Sequence, residues 1–342
     1  MQKNKKKLIW GILLLFIAAL MISFLYYQKI FSPNVAKEKA YLYIRSNDKF
    51  EDLILNLDKF ELLKNVSSFE WLAKKKNLPE KLKPGKYLLK AGMNNNQIIN
   101  MLRAGNQEAV NLVFNNIRTN EQLAGKLGKQ IEADSISLIE FFNNPQLLAK
   151  YNTTPEDVRL LFIPNTYKIW WNTSPDQLME RMKTEYEKFW NEDRDAKAYT
   201  AGLSRKEVAI IASIVEEETN RKDERSTVAS VYINRIKKGM LLQADPTVKY
   251  AIGDFTIKRV LNKHLSFDSP YNTYKYAGIP PGPICIPSIS SIDAVLANKK
   301  TDYLYFCAKE DFSGYHNFAK NVDEHLENAR KYQRALNQRK IF

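Results

Sequence analysis

The pattern of hydrophobic and polar residues changes along the chain, and the first region is apolar on all sides. Residues 8–27 carry no charge, and four of the seven residues before them are lysines. About twenty uncharged residues are enough to cross a bilayer as a helix. No small-residue cleavage site follows, so the pattern favours a transmembrane helix over a cleaved signal peptide. The lysines indicate that residues 1–7 are a cytoplasmic tail.

Short helical and strand patterns alternate in the next region, residues 40–107. The expected order is strand, helix, helix, strand, helix, near residues 41–45, 50–57, 68–75, 86–89 and 95–104. Gly105 follows the last helix, in the position where glycine commonly ends one. The region contains no plausible nucleophile or acid–base pair. We therefore expect a small αβ module that binds or positions and does no chemistry.

Residues 110–201 form a middle segment with mixed patterns. It is expected to hold a strand at 110–114, helices at 120–131, 137–142 and 175–189, a turn at 162–167 and a charged connector at 191–197. The turn is predicted from its proline and asparagine, and the connector from its cluster of charges.

The most hydrophobic helical pattern opens the last region, residues 202–342. Ser204 and Glu207 form a capping-box pattern, after which apolar residues recur at helical spacing up to three consecutive glutamates. A helix that is apolar almost all round belongs inside a domain. Further along, the pattern predicts a helix at 226–236, a buried strand at 303–308, a turn at Ser313-Gly314 and a closing helix at 323–338.

The three glutamates face different ways, because each residue of a helix advances by 100°. Glu218 stands over Ile211 and Ile214, whereas Glu216 stands over two alanines. A carboxyl against bulky aliphatic groups resists ionisation, so its pKa rises toward the range that suits a general acid near neutral pH. Glu218 is therefore the stronger candidate for acid–base chemistry. The alternative is that all three are solvated charges at a helix end.

Polar, aromatic and proline-rich loops follow the two helices. Residues 243–250, 269–274 and 278–283 supply amide, hydroxyl and tyrosine side chains. Rings can stack on sugar faces while amides and hydroxyls reach polar groups, so these loops suit an extended polar ligand. Ordinary turn chemistry is the alternative for any one loop.

Composition and charge narrow the function classes. A hydrophobic content of 44% indicates a globular chain with a core, and a net charge of +14 is compatible with an anionic partner. The basic residues are scattered and no aromatic RNA-binding motif occurs, so we expect no nucleic-acid partner. The three histidines are too dispersed to predict a metal site. Cys285 and Cys307 are expected to be buried free thiols, with a disulfide as the alternative if the chain is exported.

Several spaced motifs resemble one family, the YceG-like endolytic murein transglycosylases of the MltG type. The matching segments are the apolar span, residues 82–87, Gly92-Met93, residues 212–219 and 228–235, Gln243, and residues 245–248, 269–274 and 280–284. The sequence departs from the family pattern at Asn115-Asn116, at Asn165 and at Ile286-Pro287-Ser288. These departures leave details of substrate contact open, while the glutamate helix is intact.

The resemblance implies an α+β fold with a single N-terminal transmembrane helix, a LysM-like αβ module in residues 40–107 and an α+β YceG-like catalytic domain in residues 202–342. It implies an endolytic lyase of the inner, or cytoplasmic, membrane, with its catalytic domain outside the cytoplasm. Such an enzyme cleaves the β-1,4 bond between N-acetylmuramic acid and N-acetylglucosamine within nascent glycan strands. It leaves 1,6-anhydro ends and limits strand elongation. The implied partners are the strands, the membrane and, by analogy, a penicillin-binding synthase, and no cofactor is implied.

The resemblance also bears on individual residues. Glu218 falls on the family's catalytic glutamate, in agreement with the helix geometry. The expected substrate contacts are Glu216, Asn234, Gln243, Asp245, Thr247, Tyr271, Asn272, Thr273, Tyr274 and His316. Two other functions stay open at this point. A hydrolytic muramidase would need a second carboxylate, for which Asp245 is the best candidate, and a wall-binding scaffold would need none.

Overall fold

The computed structural model describes residues 2–339, with side chains from residue 6 onward. Residue 1 of the expected cytoplasmic tail and residues 340–342 of the expected catalytic domain lie outside the described residues. The chain divides into two units. Unit 1 contains Met1–Leu112, Gln130–Glu132 and Tyr167–Thr173, and unit 2 contains Val113–Lys129, Ala133–Thr166 and Ser174–Phe342.

Unit 1 begins with one long apolar helix, α1 (Gln2–Phe31). Its segment Lys6–Phe31 is long and apolar enough to cross a membrane, with a mean hydropathy of 2.8, and its side chains are exposed. The helix predicted at residues 8–27 is therefore confirmed, and it extends further at both ends. At its C-terminal end, Tyr26 contacts the Trp71 ring edge-on, and the backbone carbonyl of Lys29 accepts a hydrogen bond from Asn95 Nδ2.

Most of the rest of unit 1 is a small αβ module, residues 39–105, whose expected elements are confirmed. It contains β1 (Lys39–Ile44), α2 (Phe50–Lys59), α3 (Val66–Lys75), α4 (Leu78–Lys81), β2 (Gly85–Lys90) and α5 (Asn95–Ala104). Strands β1 and β2 pair antiparallel, from Lys39 opposite Lys90 to Ile44 opposite Gly85. Gly105 ends α5 in the left-handed conformation that its sequence position predicts. Only α4, a single turn, was not expected.

The middle segment supplies β3 (Val110–Val113), α6 (Asn120–Leu127), α7 (Ser135–Phe142), α8 (Pro145–Ala149), β4 (Thr166–Ile169), α9 (Pro175–Phe189) and α10 (Glu192–Ala201). Strands β3 and β4 pair into a two-stranded sheet. The connector expected at residues 191–197 is wrong, because this segment begins α10. Asn191 accepts a hydrogen bond from the Arg194 backbone as N-cap, and Gly202 ends the helix in the left-handed conformation. Caps and an exposed Lys197–Asp193 ion pair stabilise a helix that has little apolar surface.

The last part of unit 2 is mainly helical. It contains α11 (Arg205–Glu218), α12 (Arg225–Lys237), α13 (Asp245–Ile252), α14 (Asn262–Leu265), α15 (Ile289–Leu296), β5 (Tyr305–Ala308), β6 (His316–Ala319) and α16 (Val322–Gln338). Helix α11 packs against α12 and α15 around one hydrophobic core. Strands β5 and β6 pair antiparallel, from Tyr305 opposite Ala319 to Ala308 opposite His316, with a left-handed Gly314 in the turn.

Two expectations for this part are corrected. The segment expected to be a loop at residues 243–250 contains the start of α13, because Pro246 is well placed in the first turn of a helix and Gly253 ends it. The strand expected to be buried at residues 303–308 begins at Tyr305 and is only half-buried. The described chain mixes helices with short antiparallel sheets, in agreement with the expected α+β class. Cys285 and Cys307 are free thiols, Cys285 buried and Cys307 partly exposed, so the alternative disulfide is absent.

Candidate active site

The end of α11 places three carboxylates among three different sets of partners. Ser204 and Glu207 close the predicted capping box at the start of the helix, and the eight residues from Val208 to Val215 are all buried. The helix is thus fixed inside unit 2 up to its last turn. It ends at Glu218, since Thr219 is extended. The helical-face prediction that the glutamates point in different directions is confirmed by these separate partners.

Glu216 lies in a cradle of hydroxyl groups and one guanidinium group. Its Oε2 accepts hydrogen bonds from the hydroxyls of Ser288 and Ser291, the latter at 2.6 Å, and from the Ser288 backbone N–H. The guanidinium group of Arg225 lies 3.1 Å from the same oxygen. Burial pushes the pKa of Glu216 upward, but the serine hydrogen bonds and the charge of Arg225 outweigh it, so the pKa lies below its ordinary value. Glu216 is therefore held as a carboxylate.

Ser288 belongs to the segment Ile286-Pro287-Ser288, which was expected to depart from the pattern of the family that the sequence resembles. It is the N-cap of α15, where its side chain accepts a hydrogen bond from the Ser291 backbone. The same hydroxyl also donates to Glu216. Ser288 therefore joins the start of α15 to the end of α11.

Glu217 forms an ion pair on another side of the helix. Both of its carboxylate oxygens accept hydrogen bonds from Arg118 Nη2, at 2.9 and 2.8 Å. The Arg118 guanidinium also lies over the Phe255 ring, 4.9 Å from its centre. Glu217 is thus neutralised locally by one arginine.

Glu218 has one hydrogen-bond partner in the described part of the chain, a neutral tyrosine. Tyr232 on α12 donates from its hydroxyl to Glu218 Oε1 at 2.6 Å. Burial is the largest influence and raises the pKa of Glu218 to about 7, against the opposing effect of that hydrogen bond. The position at the negative end of the helix dipole disfavours the carboxylate as well. At neutral pH, Glu218 is therefore divided between the acid and its conjugate base.

Charged groups around Glu218 modulate this balance. The negative charge of Asp245 raises the pKa of Glu218, while the positive charges of Lys249 and Arg235 lower it. Arg235 is buried and donates to the backbone carbonyls of Leu304 and Leu242. Its charge is thus held by carbonyl dipoles, and no carboxylate among the described side chains forms an ion pair with it.

The exposed residues among the expected substrate contacts lie at the start of α13. Gln243 and Asp245 are both exposed. The hydroxyl of Tyr274 donates to Asp245 Oδ1 at 2.6 Å, and Gln243 Oε1 accepts from Arg235 at 3.3 Å. Gln243 has a left-handed backbone, with a φ of 52°, and its N–H donates to the Thr273 carbonyl. The structure thus brings Gln243, Asp245 and Tyr274 together on the side of Glu218.

Three other expected contacts are inside the protein. Thr247, Asn272 and Thr273 are each buried to within 1% of full burial. The hydroxyls of Thr247 and Thr273 share a hydrogen bond of 2.8 Å, and Asn272 Nδ2 donates to the carbonyls of Leu265 and Phe267. Their polar atoms are committed to the loop itself. They fix the shape of the segment that carries Tyr274.

Asn234, Tyr271 and His316 are half-buried and have partners of their own. Asn234 Nδ2 donates to the carbonyls of Thr301 and Tyr303. The ring of Tyr271 packs on Tyr250 with 4.8 Å between centres. His316 Nδ1 lies 3.1 Å from Glu224 Oε2, and the His316 ring meets the edge of Phe306. Phe306 in turn contacts Tyr232, so β5 lies between His316 and the partner of Glu218.

Sequence reasoning did not single out Tyr232, Arg235 and Lys249. Tyr232 and Arg235 lie three residues apart on α12, which places them on one helix face, and both are within the 228–235 motif. That spacing was the available signal for a pair of polar groups at the site. Lys249 had no such signal, because the start of α13 was expected to be a loop. Within residues 2–339 no group of three His, Cys, Asp or Glu side chains is arranged to hold a metal ion.

Comparisons with known proteins converge on one family. The model of the YceG-like family matches residues 42–331. An endolytic murein transglycosylase of Bacillus subtilis is 32% identical over 93% of this chain and 92% of its own length. One from Streptococcus pneumoniae D39 is 27% identical over 88% of this chain and 60% of its own length. A crystal structure of a yceG-like protein from Listeria monocytogenes is 30% identical, with a TM-score of 0.55, over 85% of this chain and 99% of that one.

Proposed function

The chain belongs to the YceG-like family, and from this premise we propose that it is an endolytic murein transglycosylase. The substrate is the glycan strand of peptidoglycan, and the bond cleaved is the β-1,4 link between N-acetylmuramic acid and N-acetylglucosamine. The product carries a 1,6-anhydro-muramyl end, and cleavage of nascent strands limits their elongation. The single observation that carries the proposal is the half-buried Glu218 carboxyl, whose desolvation raises its pKa to about 7, a value that suits an acid–base catalyst.

Glu218 acts first as a general acid. Its protonated form delivers a proton to the glycosidic oxygen as the bond to the muramyl C1 breaks. Tyr232 engages Oε1 and thereby orients the group, and no described residue donates a hydrogen bond to Oε2. We assign Oε2 to the proton transfer. The 2-acetamido group of the substrate stabilises the cationic intermediate where a second carboxylate otherwise would.

The same residue then acts as a general base. As a carboxylate, Glu218 removes the proton from the C6 hydroxyl of the muramyl residue, whose oxygen attacks C1 and closes the 1,6-anhydro ring. One group serves both steps because the attacking oxygen belongs to the substrate. No water needs activation. A pKa near neutrality allows both protonation states to be populated during turnover.

The expected substrate contacts divide into four groups under this proposal. We place Gln243, Asp245 and Tyr274 in contact with the sugar. Tyr271, Asn234 and His316 are half-buried, so only part of each side chain is open to a ligand. Thr247, Asn272 and Thr273 position the loop, because their polar groups are used internally. Glu216 joins helices α11 and α15 through its hydrogen bond from Ser291, and we assign it this structural role in place of the expected substrate contact.

A hydrolytic muramidase is the second candidate, and the observation that favours it is the influence of Asp245 on Glu218. A hydrolase needs a second carboxylate to act as nucleophile or to activate water. Digestion of purified glycan strands, followed by mass spectrometry, separates the candidates. Anhydro ends support the transglycosylase, reducing ends support the muramidase, and the absence of product from a folded protein supports a scaffold. An Asp245→Asn variant should retain anhydro products, whereas a muramidase would lose its activity.

The small module of unit 1 is proposed to be LysM-like and to bind glycan. Tyr41 and Tyr43 stand 37% and 43% exposed on the outer face of β1. The Trp171 ring lies 4.9 Å from that of Tyr43, and Lys86 Nζ lies 4.0 Å from the centre of Tyr41. Exposed rings beside a cation suit the apolar faces and the carboxylates of a wall glycan. Tyr41→Ala with Tyr43→Ala should weaken sedimentation with purified walls while cleavage of short soluble strands continues. Unchanged sedimentation would argue against the binding role.

We further propose that α1 anchors the protein in the inner membrane, with the small αβ module and unit 2 outside the cytoplasm. The lysines before the span support this orientation. Protease added to intact spheroplasts should digest the units, and protection of a C-terminal tag would contradict the topology. Proximity to a penicillin-binding synthase is part of the proposal by family analogy, and in-cell crosslinking from the units is its test.

A further inference from the structure

A cavity of about 150 Å³ lies beside the candidate active site, entirely within unit 2. Its lining includes Arg118, Glu217, Pro246, Lys249, Tyr250 and Phe255. Pro246 directly follows Asp245, so the cavity continues from the surface that Gln243, Asp245 and Tyr274 form. A cavity of this size accommodates a group of about six heavy atoms.

The cavity carries one positive charge that the protein does not neutralise. Arg118 and Glu217 form a bidentate ion pair, so together they contribute no net charge. Within residues 2–339, Lys249 has neither an ion-pair partner nor a hydrogen bond from its ammonium group. Its side chain is partly buried, where an unpaired ammonium is more costly than in water. The site is thus complementary to a single anionic group.

The walls of the cavity define the rest of the ligand. Tyr250 and Phe255 contribute rings, with 6.3 Å between their centres, and the guanidinium of Arg118 covers Phe255. Arg159 donates to the Tyr250 hydroxyl at 2.9 Å, which fixes that ring. Polar atoms form most of the surface that lines the cavity, and the two rings and Pro246 supply a smaller apolar part. A small group that joins a carboxylate to a methyl group fits this combination better than a bare ion, which would leave the apolar part uncovered.

We propose that this cavity is a subsite for the carboxylate carried by the 3-O-lactyl branch of the muramyl residue next to Glu218. This inference rests on the proposed function. The lactyl group presents a methyl group and a carboxyl group within about six heavy atoms. On a denuded strand the carboxylate is that of the free lactyl group, which matches the cavity in size. On a stem-bearing strand the lactyl carboxyl is bonded as an amide, and the carboxylate is one carried by the peptide stem beyond it. In both cases the branch identifies a muramyl residue, which N-acetylglucosamine lacks.

The subsite also connects substrate recognition to the acid. Glu218 is influenced by Tyr232 and Arg235 from α12, by Asp245 and Lys249 from α13 and, through its interaction with Tyr274, by the loop after α14. Lys249 lowers the pKa of Glu218 in the free protein. A bound carboxylate that pairs with Lys249 offsets this influence, so Glu218 holds its proton more tightly in the complex. The alkaline limb of kcat should then lie at higher pH than that of kcat/KM.

The test compares Lys249→Met with the charge-conserving Lys249→Arg in the full chain. The substrates are stem-bearing strands, strands denuded with an amidase, and both after conversion of their carboxylates to methylamides. For the wild type, amidation of the relevant carboxylate should lower kcat/KM about tenfold. The ratio of kcat/KM for the unmodified substrate to kcat/KM for the amidated substrate should fall to near one in Lys249→Met. Lys249→Arg should retain most of the wild-type ratio. If only denuded strands show the effect, the lactyl carboxylate is the ligand. If only stem-bearing strands show it, the stem is the ligand.

Two further outcomes bear on the inference. A ratio that is equal in the wild type and in Lys249→Met would overturn the subsite. Binding of the same four substrates to Glu218→Gln, measured by calorimetry, separates this failure from that of the reaction. Discrimination in binding without any anhydro product from the wild type would leave the subsite standing and remove the proposed function.

Discussion

The serine–arginine cradle around Glu216 and the tyrosine-lined surroundings of Glu218 begin from the same helix end. Both residues lie in the last turn of α11 and face the same helix dipole, so the dipole cannot distinguish them. Glu216 meets two serine hydroxyls, a backbone N–H and a guanidinium. Glu218 meets one neutral hydroxyl, which is too little to offset the desolvation of its carboxyl. The pKa values consequently move in opposite directions.

This difference shows how a protein assigns structural and chemical roles to identical side chains. A carboxylate that receives several donors stays ionised and joins the elements that supply them. A carboxyl that is buried with one donor keeps its proton near neutral pH and has capacity left for a ligand. The number and charge of the donors, more than the residue type, therefore distinguish the two sites.

The largest expected effect is the loss of activity in Glu218→Gln. The amide keeps the shape of the side chain but delivers no proton, so anhydro product should fall by a factor on the order of 10² to 10⁴ or more. Mass spectrometry of digested strands measures it. Glu216→Gln is the matched variant and should cost clearly less. If Glu216→Gln were inactive while Glu218→Gln still released anhydro ends, the assignment of the two sites would be reversed.

The same Glu218→Gln variant should gain stability at alkaline pH. The pKa of Glu218 is raised from 4.5 to about 7, so the folded protein binds this proton more tightly than the unfolded chain. Its contribution to stability is present below pH 4.5 and is lost as the pH rises through 7. At pH 8 the variant should exceed the wild type by on the order of 3 kcal/mol in unfolding free energy. Denaturation at pH 4 and pH 8 checks this, and a difference independent of pH would contradict it.

Glu216→Gln should instead destabilise the fold. The guanidinium of Arg225 is 6% exposed at its side chain and would lose its only carboxylate partner among the described residues. We expect a loss of about 1 to 3 kcal/mol at neutral pH. Because the pKa of Glu216 is lowered, this loss should shrink as the pH falls below about 4.5. Glu327→Gln removes an exposed ion pair with Lys331 and is the control, with a clearly smaller effect because solvent screens the pair. An equal loss of stability in both variants would show that the contacts of Glu216 contribute no more than an exposed ion pair.

The smallest expected effect is that of Tyr232→Phe. The hydroxyl lowers the pKa of Glu218 by hydrogen bonding, so its removal should move the alkaline limb of the pH–rate profile to higher pH. Activity at the optimum should fall by less than about tenfold, because the acid itself remains. Tyr332→Phe on α16 is the control, because Tyr332 has no partner among the residues of the candidate active site. If the alkaline limb of the pH–rate profile lies at the same pH in the variant and the wild type, Tyr232 does not act on Glu218 in the working enzyme.

The sequence predicted the surroundings of Glu218 better than those of Glu216. Ile211 and Ile214 lie on the helix face of Glu218, and local periodicity led to the expectation of a raised pKa there, in the direction that the structure gives. The partners of Glu216 come from Ser288 and Ser291, more than seventy residues later, on a helix that was not expected. Local patterns also explain the confirmed helices α5 and α9, which have clear caps. Helix α10 was missed because its stabilisation comes from caps and ion pairs and little from an apolar face.

The site residues show the same division between local and distant information. Asp245 and Tyr274 are twenty-nine positions apart, and both were named because their loops have the composition of a polar binding surface. That composition does not distinguish a side chain that faces solvent from one that bonds its own loop. Thr247 and Thr273 have a similar chemical character and are fully enclosed. Only the folded backbone separates the two groups.

The end of α1 determines how freely the small module can move away from a bilayer. The helix passes into the module through bonded contacts, with Asn95 holding the carbonyl of Lys29 and the backbone N–H of Asn34 and Ala36 bonded to Met93 and Leu62. No slack tether separates anchor and module. If α1 spans the membrane, the module diffuses as part of the surface and searches for glycan in two dimensions. Its reach into the wall is then set by its own dimensions, and only layers adjoining the membrane come within range.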